Sequence, residues 1–396
     1  MPSNPVQTDV LIIGASASGL MCAIEAGKRG RKVIVLDHAN KAGKKILMSG
    51  GGRCNFTNYN ISADNYISHN PHFCKSALSR YTQWDFIALV DTYRIPYHEK
   101  DHGQLFCNDS AKDILNMLLQ ECQKAGAAIK LKCEIQSIEK SSDHFITRTS
   151  LGDYQSESLV IASGGLSIPK MCASPLGYKV AEQFGHHVWP TSAGLVPFTL
   201  QPGDMGKFSE LSGISVNCIV SNERASFREN ILFTHRGLSG PAILQISSYW
   251  NPGEAIDINL LPDINIIGLI KSKQSVQPNT RLKTVLGEAL PKRLLPALFD
   301  EITLEKTLQE LSQVRIREIV ARLHSWSVKP NGTEGYRTAE VTLGGVDCAE
   351  LSSKTMESNK VNGLYFIGEV IDITGWLGGY NFQWAWSSGW CAGQVV

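Results

Sequence analysis

TDVLIIGASASGLMCAIEAGKRGRKVIVLD, residues 8–37, is the stretch that decides the fold. Residues 9–13 form a short apolar run that is typical of a buried parallel strand, and the helical pattern that follows ends near Arg29. A second apolar run, residues 32–36, ends at Asp37. This order of strand, tight turn, helix, strand and acid is the order that a dinucleotide-binding unit requires.

The turn between the first strand and the helix carries the binding prediction. Gly14 permits the turn, Gly19 lets the helix pack against the strand, and the helix N-terminus offers free N–H groups to a pyrophosphate. Asp37 would accept hydrogen bonds from an adenosine ribose. Ser16 replaces the middle glycine of the usual pattern, so its β-carbon should push the phosphate outward while its hydroxyl donates in return. The alternative is an ordinary βαβ unit that binds no nucleotide.

A triple glycine marks the next unusual stretch, KKILMSGGGRCNFTN, residues 44–58. Three consecutive glycines lose much entropy on ordering, so they indicate a close backbone approach or positive φ angles. Arg53, Cys54 and Asn55 follow and supply a cation, a soft nucleophile and an amide. We interpret the stretch as a second phosphate or ring cradle, and a flexible surface loop is the alternative.

Two later segments place glycines at strand ends again. Residues 158–162 form an apolar run that ends in ASGGLSIP, and residues 364–367 form a strand that ends at Gly368 and Glu369. Residues 378–381, GGYN, then open a final helix, whose dipole would stabilise negative charge on a reduced isoalloxazine. The chain therefore leaves its nucleotide-binding domain and returns to it near its end.

Changes in the residue pattern along the sequence predict where the domains begin and end. Residues 1–189 and 330–396 form the nucleotide-binding domain. Residues 190–261 alternate short strands with turn signals, which predicts a small β-barrel-like domain, completed by strands near 326–336. Residues 262–325 read as helices with polar connections and predict a helical insert.

Composition and charge exclude several classes of protein. The chain has 396 residues with 43% hydrophobic and 19% charged residues, no apolar stretch long enough to span a bilayer, and no secretory signal, so we expect a cytoplasmic protein without a membrane partner. Its ten cysteines are scattered without C-x-x-C pairs, which favours reduced thiols and no metal site. The net charge of +1 neither demands nor excludes nucleic acid.

Two features are candidates for contact with a substrate. In LFTHRGLSGP, residues 232–241, His235 and Arg236 precede a plausible helix start at Pro241, and a structural corner between strand and helix is the alternative. Residues 262–325 carry ten Lys or Arg against seven Asp or Glu. That excess usually marks a solvated helical face, and it would suit a polyanion if the basic side chains share one face.

Six blocks carry a resemblance to a known family: IIGASASGL (12–20), KILMSGGGRCNFTN (45–58), ASGGLSIP (162–169), LFTHRGLSGP (232–241), AEVTLGGV (339–346) and GEVIDITGWLGGYNFQWAW (368–386). Through them the chain resembles the BaiN/YhiN-type flavoproteins, NAD(P)/FAD-dependent oxidoreductases, over essentially its whole length. Ser16 and Ser18 depart from the G-A-G-A-A-G usual in that family. Because no second Rossmann fingerprint is present, the resemblance implies that NAD(P)H binds transiently over the flavin.

The resemblance implies an α/β fold with a glutathione-reductase-type FAD-binding Rossmann domain built from both chain ends, an inserted β-barrel-like domain and a small helical domain. It also implies the residues that hold FAD, which are Gly14, Ala15, Ser16, Ser18, Gly19, Asp37, Lys45, Ser49, Gly50, Gly52, Arg53, Cys54, Asn55, Ile135, Ala162, Ser163, Gly164, Gly368, Glu369, Gly378, Gly379, Tyr380, Asn381 and Phe382.

The branch that the chain resembles is linked to the reduction of uridine to dihydrouridine in ribosomal RNA. That reaction needs a hydride from reduced FAD and a proton from a general acid, for which Cys54 or His235 is the candidate, with Arg53 as an electrostatic anchor. The aromatic residues Trp376 and Trp384, with Tyr380, would either stack on a base or form core around the flavin. A small-molecule flavin oxidoreductase or amine oxidase and a non-catalytic flavin-binding protein are the alternatives.

Overall fold

The structure is a computed structural model, and it describes residues 4–396. The chain divides into two compact units. Ala193–Glu340 forms the second unit, and the rest of the described chain forms the first unit. The segments predicted as a barrel-like domain and a helical insert therefore both fall almost wholly within the second unit.

The strands are, in chain order, β1 Val6–Ile13, β2 Val33–Leu36, β3 Asn55–Asn58, β4 Tyr66–Ile67, β5 Tyr97–Glu99, β6 Gln104–Cys107, β7 Ala128–Lys130, β8 Ile135–Ser141, β9 His144–Thr149, β10 Gly152–Ile161, β11 Val188–Gly194, β12 Phe198–Thr199, β13 Ser215–Ser221, β14 Ser226–Phe233, β15 Gly237–Ser239, β16 Ile256–Asn259, β17 Trp326–Val328, β18 Gly332–Thr333, β19 Val341–Val346, β20 Leu364–Phe366 and β21 Thr374–Gly375.

The α-helices are, in chain order, α1 Ala17–Lys28, α2 Lys44–Met48, α3 Cys74–Arg80, α4 Gln83–Thr92, α5 Ala111–Lys124, α6 Leu176–Gln183, α7 Pro202–Phe208, α8 Pro241–Ser247, α9 Ile266–Val276, α10 Leu282–Leu286, α11 Leu295–Leu298, α12 Glu301–Glu305, α13 Gln313–His324 and α14 Tyr380–Gly393. Short 3₁₀ turns connect several of them. None of the helices within residues 4–396 has the length and apolar character to cross a bilayer.

A parallel sheet forms the centre of the first unit. Its parallel strands lie in the order β7, β2, β1, β10, β20, and β9 and β8 extend the other half of β10 in antiparallel fashion. Ile13 pairs with both Leu36 and Ile161, and Ile161 pairs with Phe366. The carboxyl ends of four strands are thus in register, so the residues that follow them meet at one edge of the sheet.

Two helices pack on each other through glycines of the last helix. A β-carbon on Gly389 would lie 2.5 Å from the carbonyl oxygen of Ser18, and one on Gly393 would lie 3.0 Å from that of Cys22. Since later residues of α14 face later residues of α1, the two helices run parallel. Both N-termini therefore point to the same side, where α1 leaves the carboxyl end of β1.

The second unit is built on an antiparallel sheet in the order β17, β16, β13, β14, β15, β12, β18. Helices α9–α13 lie between β16 and β17 in sequence, yet Ile256 pairs with Val328, so the chain returns beside the strand it left. Pro241 occupies the first turn of α8, which confirms the helix start predicted there.

Candidate cofactor site

The turn between β1 and α1 is closed so tightly that only glycine fits. Gly14 has a φ of +119°, and a β-carbon there would lie 2.2 Å from the carbonyl oxygen of Ala162. A β-carbon on Gly19 would lie 1.9 Å from the carbonyl oxygen of Gly14. Both glycines are therefore required by backbone contacts across the strand ends.

Ser16 begins α1 as its N-cap residue. Its backbone is extended, and within residues 4–396 its hydroxyl forms no capping hydrogen bond. Ser16 is half-buried, and Ala17 and Ser18 behind it are buried. The first N–H groups of the helix are consequently not satisfied by this side chain, which leaves them for an anion such as a pyrophosphate.

Asp37 is fixed at the end of β2 by backbone donors. Its Oδ2 accepts the N–H of Ala15 at 2.7 Å, and its Oδ1 accepts the N–H of Ala39 at 2.8 Å. Each carboxylate oxygen keeps further acceptor capacity, so two ribose hydroxyls can still bind. Ile135 lies two residues after Cys133, whose N–H donates to the Asp37 carbonyl at 2.9 Å. The contact of Ile135 with adenine stays a prediction.

The triple glycine forms a 3₁₀ turn, Ser49–Gly52, before β3. Gly50, Gly51 and Gly52 have φ angles of +57°, +64° and +86°, which are the positive values that the sequence predicted. A β-carbon on Gly50 would lie 2.8 Å from the ring of Phe106. The N–H of Cys54 donates to the Ser49 carbonyl at 3.1 Å and closes the turn.

The three residues predicted for catalysis have different surroundings. Cys54 is buried, and its burial raises the pKa of the thiol to about 12, against a lowering by the Ser49 hydrogen bond. Arg53 is exposed, and no hydrogen bond or ion pair to its guanidinium is found within the described residues 4–396. His235 is exposed on the turn Thr234–Gly237 of the second unit.

A polar network connects three of the strand-end segments. Lys45 Nζ lies 2.7 Å from Glu369 Oε2 and donates to Ser167 Oγ at 2.7 Å. Glu369 Oε1 accepts the N–H of Thr342 at 3.0 Å, and Thr342 Oγ1 accepts the N–H of Leu166 at 2.8 Å. Lys45 and Glu369 were expected here, whereas Ser167 and Thr342 were missed. Both residues lie inside blocks that carry the family resemblance, ASGGLSIP (162–169) and AEVTLGGV (339–346). Membership of those blocks is the sequence signal that could have identified them.

The strand β10 also ends at residues predicted to hold FAD. The N–H of Ala162 donates to the Ile13 carbonyl at 2.8 Å. Ser163 Oγ is buried and has no hydrogen-bond partner among residues 4–396. Gly164 has a φ of +71°, and a β-carbon there would lie 3.7 Å from Glu369 Oε2. This end of the sheet therefore holds an unsatisfied polar atom and a glycine beside an ion pair.

The N-terminus of α14 is tied to β3 by backbone and amide contacts. Gly379 has a φ of +94°, and a β-carbon there would lie 2.4 Å from the Thr57 carbonyl oxygen. Asn58 Nδ2 donates to the Gly378 carbonyl at 2.9 Å. In the amide orientation that satisfies both of its ends, Asn55 accepts the N–H of Gly379 at 3.1 Å. The helix terminus is consequently held rigidly beside the triple-glycine turn.

The aromatic residues of the last block are mostly core. Trp384 is 1% exposed and donates through Nε1 to the Gly368 carbonyl at 3.0 Å, so it does not stack on a base. Tyr380 is also buried, whereas Trp376 and Phe382 are half-buried. Asn381 closes the turn before the helix, where its Oδ1 accepts the N–H of Gly375 at 2.8 Å.

These residues fit a dinucleotide. Close backbone contacts admit only glycine at Gly14 and Gly19, the start of α1 keeps free donors, and Asp37 stands at the end of β2. Lys45 adds a cation at the same edge. Among residues 4–396, no group of three or more His, Cys, Asp or Glu is placed to hold a metal ion.

A parallel sheet whose strands end in register at glycines, with an acid and a helix N-terminus at that edge, defines a Rossmann-type dinucleotide-binding protein. The chain belongs to the family described as "HI0933-like protein Rossmann domain", whose model matches residues 8–395. The family predicted from the sequence blocks is thereby confirmed, and the protein is an FAD-dependent oxidoreductase.

The chain is similar over nearly its whole length to two enzymes of known name. It is 54% identical over 389 residues to a ribosomal RNA dihydrouridine synthase of Escherichia coli, covering 98% of this chain and 97% of that protein. It is 25% identical over 404 residues to a 3-dehydro-bile acid delta(4,6)-reductase of Clostridium scindens, covering 97% and 98%.

One solved structure supports the fold. The 3-ketosteroid-delta4-(5alpha)-dehydrogenase from Rhodococcus jostii RHA1 matches with a TM-score of 0.50 and 12% identity, covering 98% of this chain and 97% of that chain. At that identity the likeness concerns the fold alone.

Proposed function

We propose that this protein reduces uridine to dihydrouridine in ribosomal RNA, with bound FAD as the cofactor and NAD(P)H as the transient electron donor. The observation that carries the proposal is the 54% identity, over nearly the whole of both chains, to a protein named as a ribosomal RNA dihydrouridine synthase. The same proposal includes a cytoplasmic location, where ribosomal RNA is found.

The proposed FAD contacts follow the strand ends. The start of α1, including Ser16 and Ser18, takes the pyrophosphate, and Asp37 takes the adenosine ribose. The start of α14 with Gly378 and Gly379 faces the flavin ring. The remaining residues predicted to bind FAD lie in the triple-glycine turn, in the segment after β10, at Ile135 and around Lys45 and Glu369. When bound, FAD supplies the hydride.

The protein itself must orient the pyrimidine and supply a proton. Arg53 is proposed as an anchor for an anionic group, because it is exposed and its guanidinium keeps all its donors. The sequence offers Cys54 and His235 as candidate proton donors. If one of them is the donor, Cys54→Ser or His235→Ala should retain FAD and lose turnover. Unchanged turnover in both variants removes them from the mechanism and leaves the proton to another acid.

We also propose that the chain forms three domains. A glutathione-reductase-type FAD domain is proposed for residues 1–189 and 330–396, a β-barrel-like domain for 190–261 and a helical insert for 262–325. The helical insert is the proposed approach surface for RNA. Six of its basic residues are supported for that role, because their side chains form no ion pair with an acidic side chain within residues 4–396: Lys271, Lys292, Arg293, Lys306, Arg317 and Arg322.

Nucleoside mass spectrometry tests the substrate. Ribosomal RNA from a strain that lacks the gene should contain one dihydrouridine fewer than wild-type RNA, and the purified FAD-loaded protein with NADPH should restore it. The Gly14→Val variant, which we expect not to bind FAD, serves as the control. An unchanged dihydrouridine content in the deletion strain would contradict the proposal.

A second candidate is the reduction of a conjugated C=C bond in a small molecule. The 25% identity to a 3-dehydro-bile acid delta(4,6)-reductase, over nearly the whole of both chains, supports it. This alternative predicts that the FAD-loaded protein is reoxidised by an enone under anaerobic conditions and not by RNA.

A further inference from the structure

His69 and Asp372 form a hydrogen-bonded pair in the first unit. His69 Nδ1 lies 2.8 Å from Asp372 Oδ2, and the backbone N–H of His69 donates to the same oxygen at 2.8 Å. The side chain of Asp372 is 5% exposed, whereas that of His69 is 52% exposed. An ionised carboxylate only accepts hydrogen bonds, so the proton of this contact belongs to Nδ1. Nε2 is left to exchange a proton with a ligand.

The plane of the His69 ring is also fixed. Its ring stacks on that of Trp189 with a centroid distance of 3.7 Å and an interplanar angle of 5°. His187 meets the same indole edge-on at 4.7 Å. A histidine whose Nδ1 is bound to a carboxylate and whose ring is stacked cannot rotate freely, so its Nε2 is held in one direction.

Asp372 lies within the segment that carries several of the proposed flavin contacts. Asp372 comes three residues after Glu369, so their Cα atoms are at most about 11 Å apart. Its N–H donates to the Val346 carbonyl at 3.0 Å, in the strand that starts beside Thr342. On the other side, β21 pairs with β4 and leads to Gly378 at the start of α14. Asp372 therefore lies on the segment that connects Glu369 with Gly378, both of which are proposed flavin contacts, and it brings His69 to that segment.

The other histidines near carboxylates in the described part of the chain, residues 4–396, lack this combination. His186 also has a carboxylate partner, Glu350, at 3.1 Å, but its side chain is 0% exposed and its Nε2 is bound to Ser358. His38 Nδ1 lies 3.8 Å from Asp37, beyond hydrogen-bond distance. Only the pair of His69 and Asp372, among these three, combines a buried carboxylate with a solvent-accessible imidazole ring.

We infer that His69, oriented by Asp372, is the general acid that protonates the pyrimidine during the reduction. This inference rests on the proposed function. Reduction of the C5=C6 bond adds one hydride and one proton: the hydride forms a C–H bond at one carbon, and the electron pair of the double bond moves to the other. That pair takes the proton from Nε2 of the His69 imidazolium, the N–H bond breaks, and a neutral imidazole remains hydrogen-bonded to Asp372.

Separate half-reactions test the inference. The FAD-loaded protein is reduced with dithionite without oxygen and mixed with ribosomal RNA purified from a strain that lacks the gene, and flavin reoxidation is followed by absorbance. His69→Ala should lower the reoxidation rate by about 100-fold, within the range for loss of a general acid. FAD affinity and the rate of reoxidation by oxygen should stay at the wild-type values. His72→Ala, an exposed histidine on the same segment, is the matched control.

Two failures are distinguishable. If the wild-type protein is reoxidised by oxygen but not by RNA, the proposed function is overturned and this inference with it. If the wild-type protein reacts with RNA and His69→Ala reacts equally fast, the inference alone is overturned. Equal losses in FAD affinity and in both reoxidation rates would mean that His69 is structural, which also overturns it.

Asp372 is a positioning residue, and the separate half-reactions test its role as well. Asp372→Asn should lower the rate of reoxidation by RNA, because an amide can donate its own N–H to Nδ1 and no longer fixes the proton of the ring on that atom. FAD affinity and the rate of reoxidation by oxygen should stay at the wild-type values, and Asp372→Glu should restore part of the RNA reaction. The other groups beside the pair are Ser68, Cys348 and, across Trp189, His187. An RNA reaction of Asp372→Asn as fast as that of the wild-type protein would overturn the assignment to Asp372.

Discussion

The edge of the parallel sheet and the helices α9–α13 both carry lysine–glutamate pairs, but the two sets are built differently. At the sheet edge, Lys45 and Glu369 are 28% and 19% exposed and each has further fixed partners in Ser167 and Thr342. In the second unit, Lys283 and Glu305 are 43% and 38% exposed, and Glu305 is shared with the more exposed Arg281.

The difference indicates that the charges at the sheet edge hold side chains in fixed positions, whereas the charges of the helices mainly keep the surface soluble. A sheltered pair with several hydrogen bonds holds its atoms in one place, since removal of one partner takes a charged hydrogen bond from the other, which is only partly reached by water. An exposed pair is screened by water and contributes about 0–1 kcal/mol. Function is therefore expected to depend on the few charges at the sheet edge more than on the many charges of the helices.

The largest effect is expected at the turn between β1 and α1, at the same edge of the sheet. Gly14→Val should abolish FAD binding, because a β-carbon at this position would lie 2.2 Å from the Ala162 carbonyl oxygen. Flavin absorbance after purification with added FAD measures the result. Gly203→Ala is the matched control, since a β-carbon at Gly203 meets no atom within 4 Å. Retention of FAD by Gly14→Val would show that the turn can move.

The two kinds of ion pair are separated by removing one lysine from each set. Lys45→Met should lower the free energy of unfolding by about 1.5–3 kcal/mol, since hydrogen bonds to a sheltered charge are removed. Lys283→Met should lower it by no more than about 1 kcal/mol. Urea denaturation of both variants in the absence of FAD gives the two values. Equal losses of stability would contradict the difference drawn between the pairs.

Local sequence predicted the sheet edge well and its long-range contacts poorly. The segment from β1 to β2 was predicted because its apolar strands, its glycines and its terminal acid, Asp37, all lie within thirty residues of one another. The sequence predicted β10 only from residue 158, although the strand starts at Gly152. The first half of the strand is polar, so it has no apolar run, and it is a strand because it pairs with β9. The link between His69 and Asp372 spans 303 positions and leaves no periodic signal, so no local pattern could indicate it.

The predicted use of the helices by RNA rests on an excess of basic residues in the sequence. Arg315, with Asp300 and Glu318 as partners, illustrates how the folded chain neutralises part of that excess internally. The sequence cannot show which basic side chains form ion pairs, because the packing of the helices decides which acidic side chains lie near them. Only the basic side chains of these helices that have no acidic partner within residues 4–396 are therefore free to bind a polyanion.

A smaller effect is expected when the unpaired cations of the helices are reversed. Arg317→Glu combined with Arg322→Glu should weaken RNA binding at low salt and reduce the slope of log affinity against log salt by about 2, one unit for each phosphate that is no longer neutralised. Filter binding at several salt concentrations measures the slope. Arg281→Glu is the control from an ion-paired position, and a similar change in slope there would remove the distinction between paired and unpaired cations.

The smallest effect concerns a third arrangement, a fully buried histidine outside the site. Burial lowers the pKa of His186, against an opposing effect of Glu350, so the folded protein favours the neutral ring more than the unfolded chain does. The stability that this provides is complete above the unfolded pKa of about 6.5 and is lost as the pH falls below it. Unfolding measured between pH 8 and pH 5 should therefore show a decline that His186→Asn reduces. An identical decline in the variant would assign it to other groups, and the sheltered histidine would then behave like the exposed charges of the helices.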